Sequence, residues 1–159
     1  MRRWRTPSIT HRKLTHCLSA HLNYSTGNLR WRMEVWAVAC MGAVCALSIF
    51  FLAWVFARFV DNFGIVDVVW SYSFTILALI YWRCLPGYAP RRSLVLAICV
   101  LWSIRLGSYL LWRVASHHPG EDTRYRHLRR VWAGRVNSAF LQFFLAQGLS
   151  AVVLSAPFF

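Results

Sequence analysis

The sequence predicts an all-α, multi-pass integral membrane protein with about four transmembrane helices and one amphipathic interfacial helix. Of its 159 residues, 58% are hydrophobic and only 14% are charged, whereas about a quarter of the residues of an ordinary soluble domain are charged. The hydrophobic residues are gathered into long runs, and about 20 apolar residues in a helix suffice to cross the hydrocarbon core of a bilayer. This composition excludes soluble, disordered and collagen-like chains and indicates a lipid bilayer as the partner.

A basic tail, residues 1–32, precedes the first hydrophobic run. It contains seven Arg and Lys residues and no acid, within a chain whose net charge is +13. Three interpretations are open: a targeting extension, a cytoplasmic arm, and a stretch that lies before a true start at Met33. Nothing beyond positive charge indicates nucleic acid, so we expect no nucleic-acid partner. The transmembrane domain is then residues 33–159.

The first span is an uncharged run of 23 residues, 35–57. A secretory signal has a shorter hydrophobic region of about 7–15 residues and ends at small residues. Here the bulky side chains of Trp54, Phe56 and Phe59 lie at the end of the run. We therefore expect a membrane anchor rather than a cleaved leader.

Three further spans are predicted at residues 64–82, 93–112 and 137–157, and the last has no formal charge. The connector 83–92 contains two prolines and a glycine, which break helices. The tail, this connector and the later loop are all basic, so the positive-inside rule does not orient the chain. The membrane itself stays open between a bacterial inner membrane and a eukaryotic endomembrane or organelle membrane.

Two ionisable residues lie within predicted spans, Asp67 and Arg105. Such residues indicate function because an unpaired charge in a bilayer costs at least a few kcal/mol. Asp67 has a structural alternative, since an acid in the first turn of a helix is favoured by the macrodipole. Arg105 either extends towards water or holds a phosphate or carboxylate. A salt bridge from Asp67 to Arg105 would serve either interpretation.

The loop 113–135 contains a second helix signal, over residues 119–132. Pro119-Gly120 ends the preceding structure, and the adjacent acids Glu121 and Asp122 are expected in the first helical turn. Tyr125, Leu128 and Trp132 then lie on one face. Arginines occupy the rest of the surface: Arg124, Arg126, Arg129 and Arg130.

This amphipathic helix has two interpretations. It either rests on anionic lipid head groups, or its arginines contact an anionic cofactor. In the second case Glu121 and Asp122 orient arginines or bind ribose hydroxyls, and Tyr125 stacks or forms a hydrogen bond.

Motifs for metal binding and for soluble cofactor folds are missing from the sequence. The five cysteines form no CxxC pair and have no histidine at ligand spacing, so no metal site is expected. The sequence has no GxGxxG, phosphate loop or GxSxG motif, which leaves soluble dinucleotide-binding folds and serine hydrolases unsupported.

Four motifs in order resemble the family catalogued as domain of unknown function 1295, a relative of the steroid 5-alpha-reductase C-terminal domain. They are IVDVVW at 65–70, LWSIRLG at 101–107, GEDTRY at 120–125 with Trp132 downstream, and QG at 147–148. The resemblance runs from about Arg58 to the end of the chain and does not include the basic tail.

This resemblance implies a reductase that uses NADPH to reduce an activated carbon–carbon double bond in a hydrophobic, lipid-like substrate of steroid or isoprenoid type. It implies Asp67 and Tyr125 as catalytic residues, with arginines expected on either side of Tyr125 to lower its pKa and favour proton donation. The cofactor-binding residues that it implies are Arg105, Glu121, Asp122, Arg124 and Gln147.

One departure from the family concerns length. The family continues past its fourth span with a polar segment of the type SRHPNYxGE, so we expect this chain to correspond to the front part of a longer fold. Two alternatives stay open. One is a non-catalytic membrane protein that binds anionic lipid or a partner subunit, and the other is a related methyltransferase that uses S-adenosylmethionine. The oligomeric state is also open.

Overall fold

The computed structural model describes the backbone of residues 9–117 and 120–158, and the side chains of residues 31–117 and 120–158. Within these ranges the chain is helical and contains no strand, which confirms the predicted all-α class. The helices are α1 (Ile9–Val60), α2 (Ile65–Cys84), α3 (Ala89–Ser116), α4 (Thr123–Val131) and α5 (Val136–Leu154), followed by a short 3₁₀ turn (Ala156–Phe158).

The chain divides into two compact units, Met1–Trp36 and Ala37–Phe159. In the first unit, residues 9–36 are helical. Residues 1–8 of the predicted basic tail, and the side chains of the tail up to residue 30, lie outside the described part of the chain, so the role of the tail stays a prediction. The second unit contains the C-terminal part of α1 and all of α2 to α5.

Four helical segments are long and apolar enough to cross a membrane: Trp31–Val60, Ile65–Cys84, Ala89–Ser116 and Val136–Phe158. Their bounds differ from the predicted spans by at most four residues. One of the extensions by four residues is at the start of α3, where Pro90 fits the first helical turn and the following arginines are good helix formers. This architecture is that of a multi-pass integral membrane protein.

Helices α2 and α3 form an antiparallel hairpin through the connector Leu85–Tyr88. Their contact depends on Gly107, because a Cβ atom there would lie within 2.6–3.0 Å of the ring of Tyr72. Small residues of this kind let apolar helices approach each other closely.

A cluster of buried aromatic and small side chains joins α1, α2, α4 and α5. Its centre is the stacked pair of Phe63 and Phe140, whose ring centroids lie 3.8 Å apart. The other buried members are Phe50, Ala53, Ala57, Val66, Tyr125 and Phe144. This cluster fixes the break between α1 and α2 against α4.

Helix α4 confirms the predicted amphipathic helix but begins later than the sequence suggests. The expectation that both acids lie in its first turn is wrong. Asp122 is the N-cap, with a non-helical backbone, and its Oδ1 accepts a hydrogen bond of 2.9 Å from the Arg124 N–H. Tyr125, Leu128 and Trp132 do share one face, and that face packs on the buried cluster.

Candidate functional site

The candidate site is centred on Asp67, which lies in the first turn of α2. Its Oδ1 accepts a hydrogen bond of 2.8 Å from the Tyr125 hydroxyl, and its Oδ2 pairs with Arg124 Nη2 at 2.9 Å. The Asp67 side chain is 23% exposed and that of Arg124 is 61% exposed. Residues far apart in the sequence therefore meet at one end of the apolar helices.

Tyr125 is only 3% exposed, and its pKa is raised well above the ordinary value. Burial is the largest cause, and the negative charge and hydrogen bond of Asp67 add to it. Arg124 and Arg113 lower the pKa, but by less. The expected net lowering of the pKa of Tyr125 is therefore wrong, because desolvation and the adjacent carboxylate outweigh the arginine charges. Tyr125 is a neutral phenol that donates to Asp67.

The salt bridge between Asp67 and Arg105, which the sequence left open, is not formed, and Asp67 pairs with Arg124 instead. Arg105 is exposed on α3, and among the described residues it forms no ion pair. The neighbouring positions Ser103 and Gly107 are buried, and two residues along a helix correspond to a rotation of about 200°. Since these two positions face the protein, Arg105 points away from it.

The adjacent acids Glu121 and Asp122 hold the start of α4 in place. Asp122 caps the helix through Oδ1 and forms an ion pair with Arg113 through Oδ2. Glu121 Oε1 accepts a hydrogen bond of 2.7 Å from the Phe63 N–H, and its Oε2 lies 2.5 Å from Arg129 Nε. Both acids are thus engaged with groups of this chain, and their cofactor roles stay predictions.

Arg129 connects Glu121 to the break between α1 and α2. Its Nη2 lies 2.8 Å from Asp61 Oδ1, and its guanidinium lies 4.6 Å from the ring centroid of Phe63. Burial lowers the pKa of Arg129, but the hydrogen bonds and charges of Glu121 and Asp61 raise it by more. Arg129 is therefore a stable cation at the centre of a three-residue ion cluster.

Three residues that shape the site, Asp61, Asn62 and Arg113, are not among the candidates predicted from the sequence. Asp61 has a positive φ of 54°, and the Asn62 Oδ1 accepts a hydrogen bond of 3.0 Å from the Gly64 N–H. Asp and Asn tolerate such turn geometries better than most residues. Asp61 and Asn62 are adjacent and lie between two apolar runs, and this position in the sequence could have indicated a turn.

A small pocket lies beside Asp67, with a volume of about 20 Å³. Its polar lining comes from Asn62, Asp67, Arg113, His117, Asp122 and Tyr125. A polar cavity of this size accommodates about one water molecule. It is too small for the ring of a nicotinamide or a lipid.

Gln147 belongs to a neighbouring polar group within the spans. Ser150 Oγ donates to the main-chain carbonyl of Gln147 at 2.8 Å, lies 3.3 Å from Gln147 Oε1, and accepts from Trp70 Nε1 at 3.1 Å. Trp70 lies one helical turn after Asp67 on α2. Four predicted site residues therefore lie together: Asp67, Asp122, Arg124 and Tyr125. Gln147 is connected through Ser150 to Trp70, which lies one helical turn after Asp67. Arg105 lies apart from this group.

Comparison with protein families places most of this chain in one family. Residues 53–159 match the family described as protein of unknown function (DUF1295), which is more than half of the 159 residues. The chain belongs to the DUF1295 family. No curated protein and no solved structure matches it.

The DUF1295 region contains the whole candidate site, from Asp61 to Ser150. The family predicted from the sequence motifs is therefore confirmed. The family description names no activity, so the relation to steroid 5-alpha-reductases and the reductase activity stay predictions.

Proposed function

We propose that this DUF1295 protein is a membrane reductase that uses NADPH to reduce an activated carbon–carbon double bond in a lipid-like substrate. The observation that carries the proposal is the contact of Asp67 with both Arg124 and Tyr125. These residues lie in two of the motifs on which the family resemblance depends. The adjacent apolar helices suit a substrate that partitions into the bilayer.

The described residues fit the phosphate end of NADPH. Arg124, Arg126 and Arg130 are exposed on α4, and arginine binds phosphate through planar, bidentate hydrogen bonds. Arg124 is anchored through Asp67 and the ring of Tyr125 while most of its side chain faces outward. By contrast, the pocket of about 20 Å³ beside Asp67 does not hold the nicotinamide ring.

When bound, NADPH would supply the hydride, and water would supply the proton that completes reduction of the double bond. In this proposal the exposed arginines of α4 bind its phosphates, and Asp67 fixes the direction of the Arg124 guanidinium. Tyr125 keeps its proton and donates to Asp67 Oδ1, which holds the carboxylate in one orientation. Arg113 and Arg129 hold α4 through Asp122 and Glu121 and leave the outer arginines available.

The test is NADPH binding by the purified chain in detergent, measured by the change in NADPH fluorescence. We expect Arg124→Gln to weaken binding by roughly tenfold to a hundredfold, since a charge-assisted hydrogen bond contributes about 1.5–3 kcal/mol. Arg83→Gln is the matched control, because Arg83 is an exposed arginine at the opposite end of α2. Asp67→Asn tests the positioning of Arg124 and should weaken binding less than Arg124→Gln.

Reduction itself is tested by consumption of NADPH with an unsaturated carbonyl lipid in the same detergent. The proposal fails if the wild-type chain binds no NADPH, or if Arg83→Gln weakens binding as much as Arg124→Gln does.

A second candidate function is binding of anionic lipid at α4 without catalysis. The observation that favours it is the outward arginine face of a helix whose apolar face is already packed on the protein. Vesicles of phosphatidylglycerol separate the two candidates. The reductase proposal is supported if NADPH reduces vesicle binding of the wild-type chain but not of Arg124→Gln. The lipid function is supported if NADPH does not affect vesicle binding.

A further inference from the structure

A larger pocket lies at the other end of α2, away from the Asp67 site. It has a volume of about 90 Å³ and lies among the end of α2, the connector, the first turns of α3 and the 3₁₀ turn. The residues that matter for its chemistry are Trp82, Tyr88, Arg91, Arg92 and Phe158. Asp67 and Cys84 are separated by 17 helical residues, so the two sites lie on the order of 25 Å apart.

The charge of this pocket is positive and unbalanced. Among the residues that the structure describes, no acid lines it, and the first turn of α3 contains none. Arg91 and Arg92 have no ion pair within the described ranges, whereas Arg113 and Arg129 are paired with Asp122 and Glu121. An anion is therefore the missing complement.

Arg92 gives the most specific indication. Its Nε is buried and has no hydrogen-bond partner within the part of the chain that the structure describes. A buried donor without an acceptor is costly, and more so on a charged group. The Cδ of Arg92 would lie 3.3 Å from a Cβ atom at Gly87, a glycine with a φ of +156°. The missing side chain at Gly87 thus leaves room for the stem of Arg92 beside the connector.

The backbone contributes as well. Helix α3 begins at Ala89, and Tyr88 at its N-cap makes no side-chain hydrogen bond to it. The first amide groups of a helix have no acceptor within the helix, and its N-terminus favours negative charge. Of the residues in this first turn, Arg91 and Arg92 line the pocket, and Pro90 has no N–H.

The remaining walls are aromatic and apolar. Trp82 and Tyr88 are exposed residues at the ends of two predicted spans, where aromatic side chains prefer the level of the lipid head groups. Val95 and Leu96 continue the wall along α3. A ligand with an anionic head and an apolar body would therefore fit a pocket with arginines at one part of its wall and aromatic and apolar side chains along the rest.

We infer that this pocket binds a phosphate group, supplied by the head group of an anionic membrane lipid. Arg91 and Arg92 bind the phosphate oxygens, and Trp82 and Tyr88 contact the glycerol region. Inorganic phosphate offers the same oxygens without the apolar body.

The experiment is native mass spectrometry of the purified chain released from detergent, with phosphatidylglycerol, phosphatidylcholine or inorganic phosphate added separately. We expect wild-type chain to retain phosphatidylglycerol over phosphatidylcholine, and Arg92→Gln to retain roughly fivefold to tenfold less. Arg83→Gln removes the same charge from the same end of the molecule but does not line the pocket, and it should retain as much as wild type.

A lysine variant separates loss of binding from loss of folding. Arg92→Lys keeps the charge but not the planar donors, and we expect it to retain more lipid than Arg92→Gln. Retention of inorganic phosphate with no preference for phosphatidylglycerol would support the phosphate site and assign it to free phosphate. The inference is overturned if wild type retains neither ligand, or if Arg83→Gln and Arg92→Gln lower retention equally.

Discussion

Tyr125 keeps its proton because two features act in the same direction. Its ring is buried against the aromatic cluster, and its hydroxyl donates to a carboxylate. A phenolate there would be both desolvated and repelled by Asp67. The flanking arginines do not reverse this, since Arg124 is largely exposed and paired with Asp67.

This raised pKa has a consequence for stability at high pH. The pKa of Tyr125 returns to about 10 on unfolding, so the neutral phenol contributes stability that is complete below about pH 10 and is lost as the pH rises further. We expect the stability of wild type to fall more steeply between about pH 9.5 and 11.5 than that of Tyr125→Phe. The measurement is the midpoint of unfolding by SDS in mixed micelles at each pH.

The matched control for this titration is Tyr88→Phe, because Tyr88 is 76% exposed and lies outside the Asp67 site. It should follow the wild-type profile. If the stability of Tyr125→Phe has the same pH profile as that of wild type, the conclusion that Tyr125 is a buried, neutral phenol is wrong.

Substitution of Arg129 tests whether the ion cluster at the start of α4 stabilises the fold. The Glu121 side chain is only 6% exposed, so Arg129→Gln leaves a nearly buried carboxylate without its cation. We expect a loss of about 2–3 kcal/mol in the free energy of unfolding, less than for a fully buried pair because the Arg129 side chain is 28% exposed. Arg126→Gln, on the exposed face of the same helix, should change stability by less than about 0.5 kcal/mol. Equal losses in the two variants would contradict the cluster.

At the level of helices, α4 is too short to be stable alone. Its nine residues fall below the length at which isolated helices form in water. Its cap from Asp122 and the packing of Tyr125, Leu128 and Trp132 hold it in place. The apolar face that the sequence predicts for a bilayer surface therefore contacts other helices of the same chain.

The contact between α1 and α5 depends on Gly148. A Cβ at this position would lie 3.0 Å from Phe50 Cδ2, and Phe50 is fully buried. We expect Gly148→Ala to lower the free energy of unfolding by about 1–3 kcal/mol, because the Phe50 ring has no room to move. Leu149→Ala is the control in the same helix, since Leu149 is 56% exposed. A Gly148→Ala variant as stable as wild type would show that α1 and α5 are not in this close contact.

At the level of the whole molecule, four consecutive spans place the connector and α4 on opposite sides of a membrane. Cys84 and His127 are exposed residues in these two regions. Two variants with a single cysteine test this arrangement: one keeps only Cys84, and the other has only His127→Cys. In sealed vesicles, we expect a membrane-impermeant maleimide to label the two variants from opposite sides. Labelling of both from the same side would contradict a membrane crossing by α3, the helix that lies between these two regions.

Much of the architecture follows from local sequence. The length of each apolar run decides whether a helix crosses a membrane, and the pattern of 119–132 decides the apolar face of α4. The motifs also identify Asp67, Arg124 and Tyr125 as belonging to one site. They do so without indicating which side chains touch.

The contacts themselves depend on how each helix is rotated about its axis. That rotation is set by packing, as at Ser103 and Gly107, which face the protein and turn Arg105 away from Asp67. The same packing buries Tyr125, joins Arg129 to Asp61, and leaves Arg92 Nε without a partner. The sequence alone determined an all-α membrane protein of the DUF1295 family and its candidate residues. Only the tertiary structure decided the pairing of the charges, because burial and distance arise when separate helices meet.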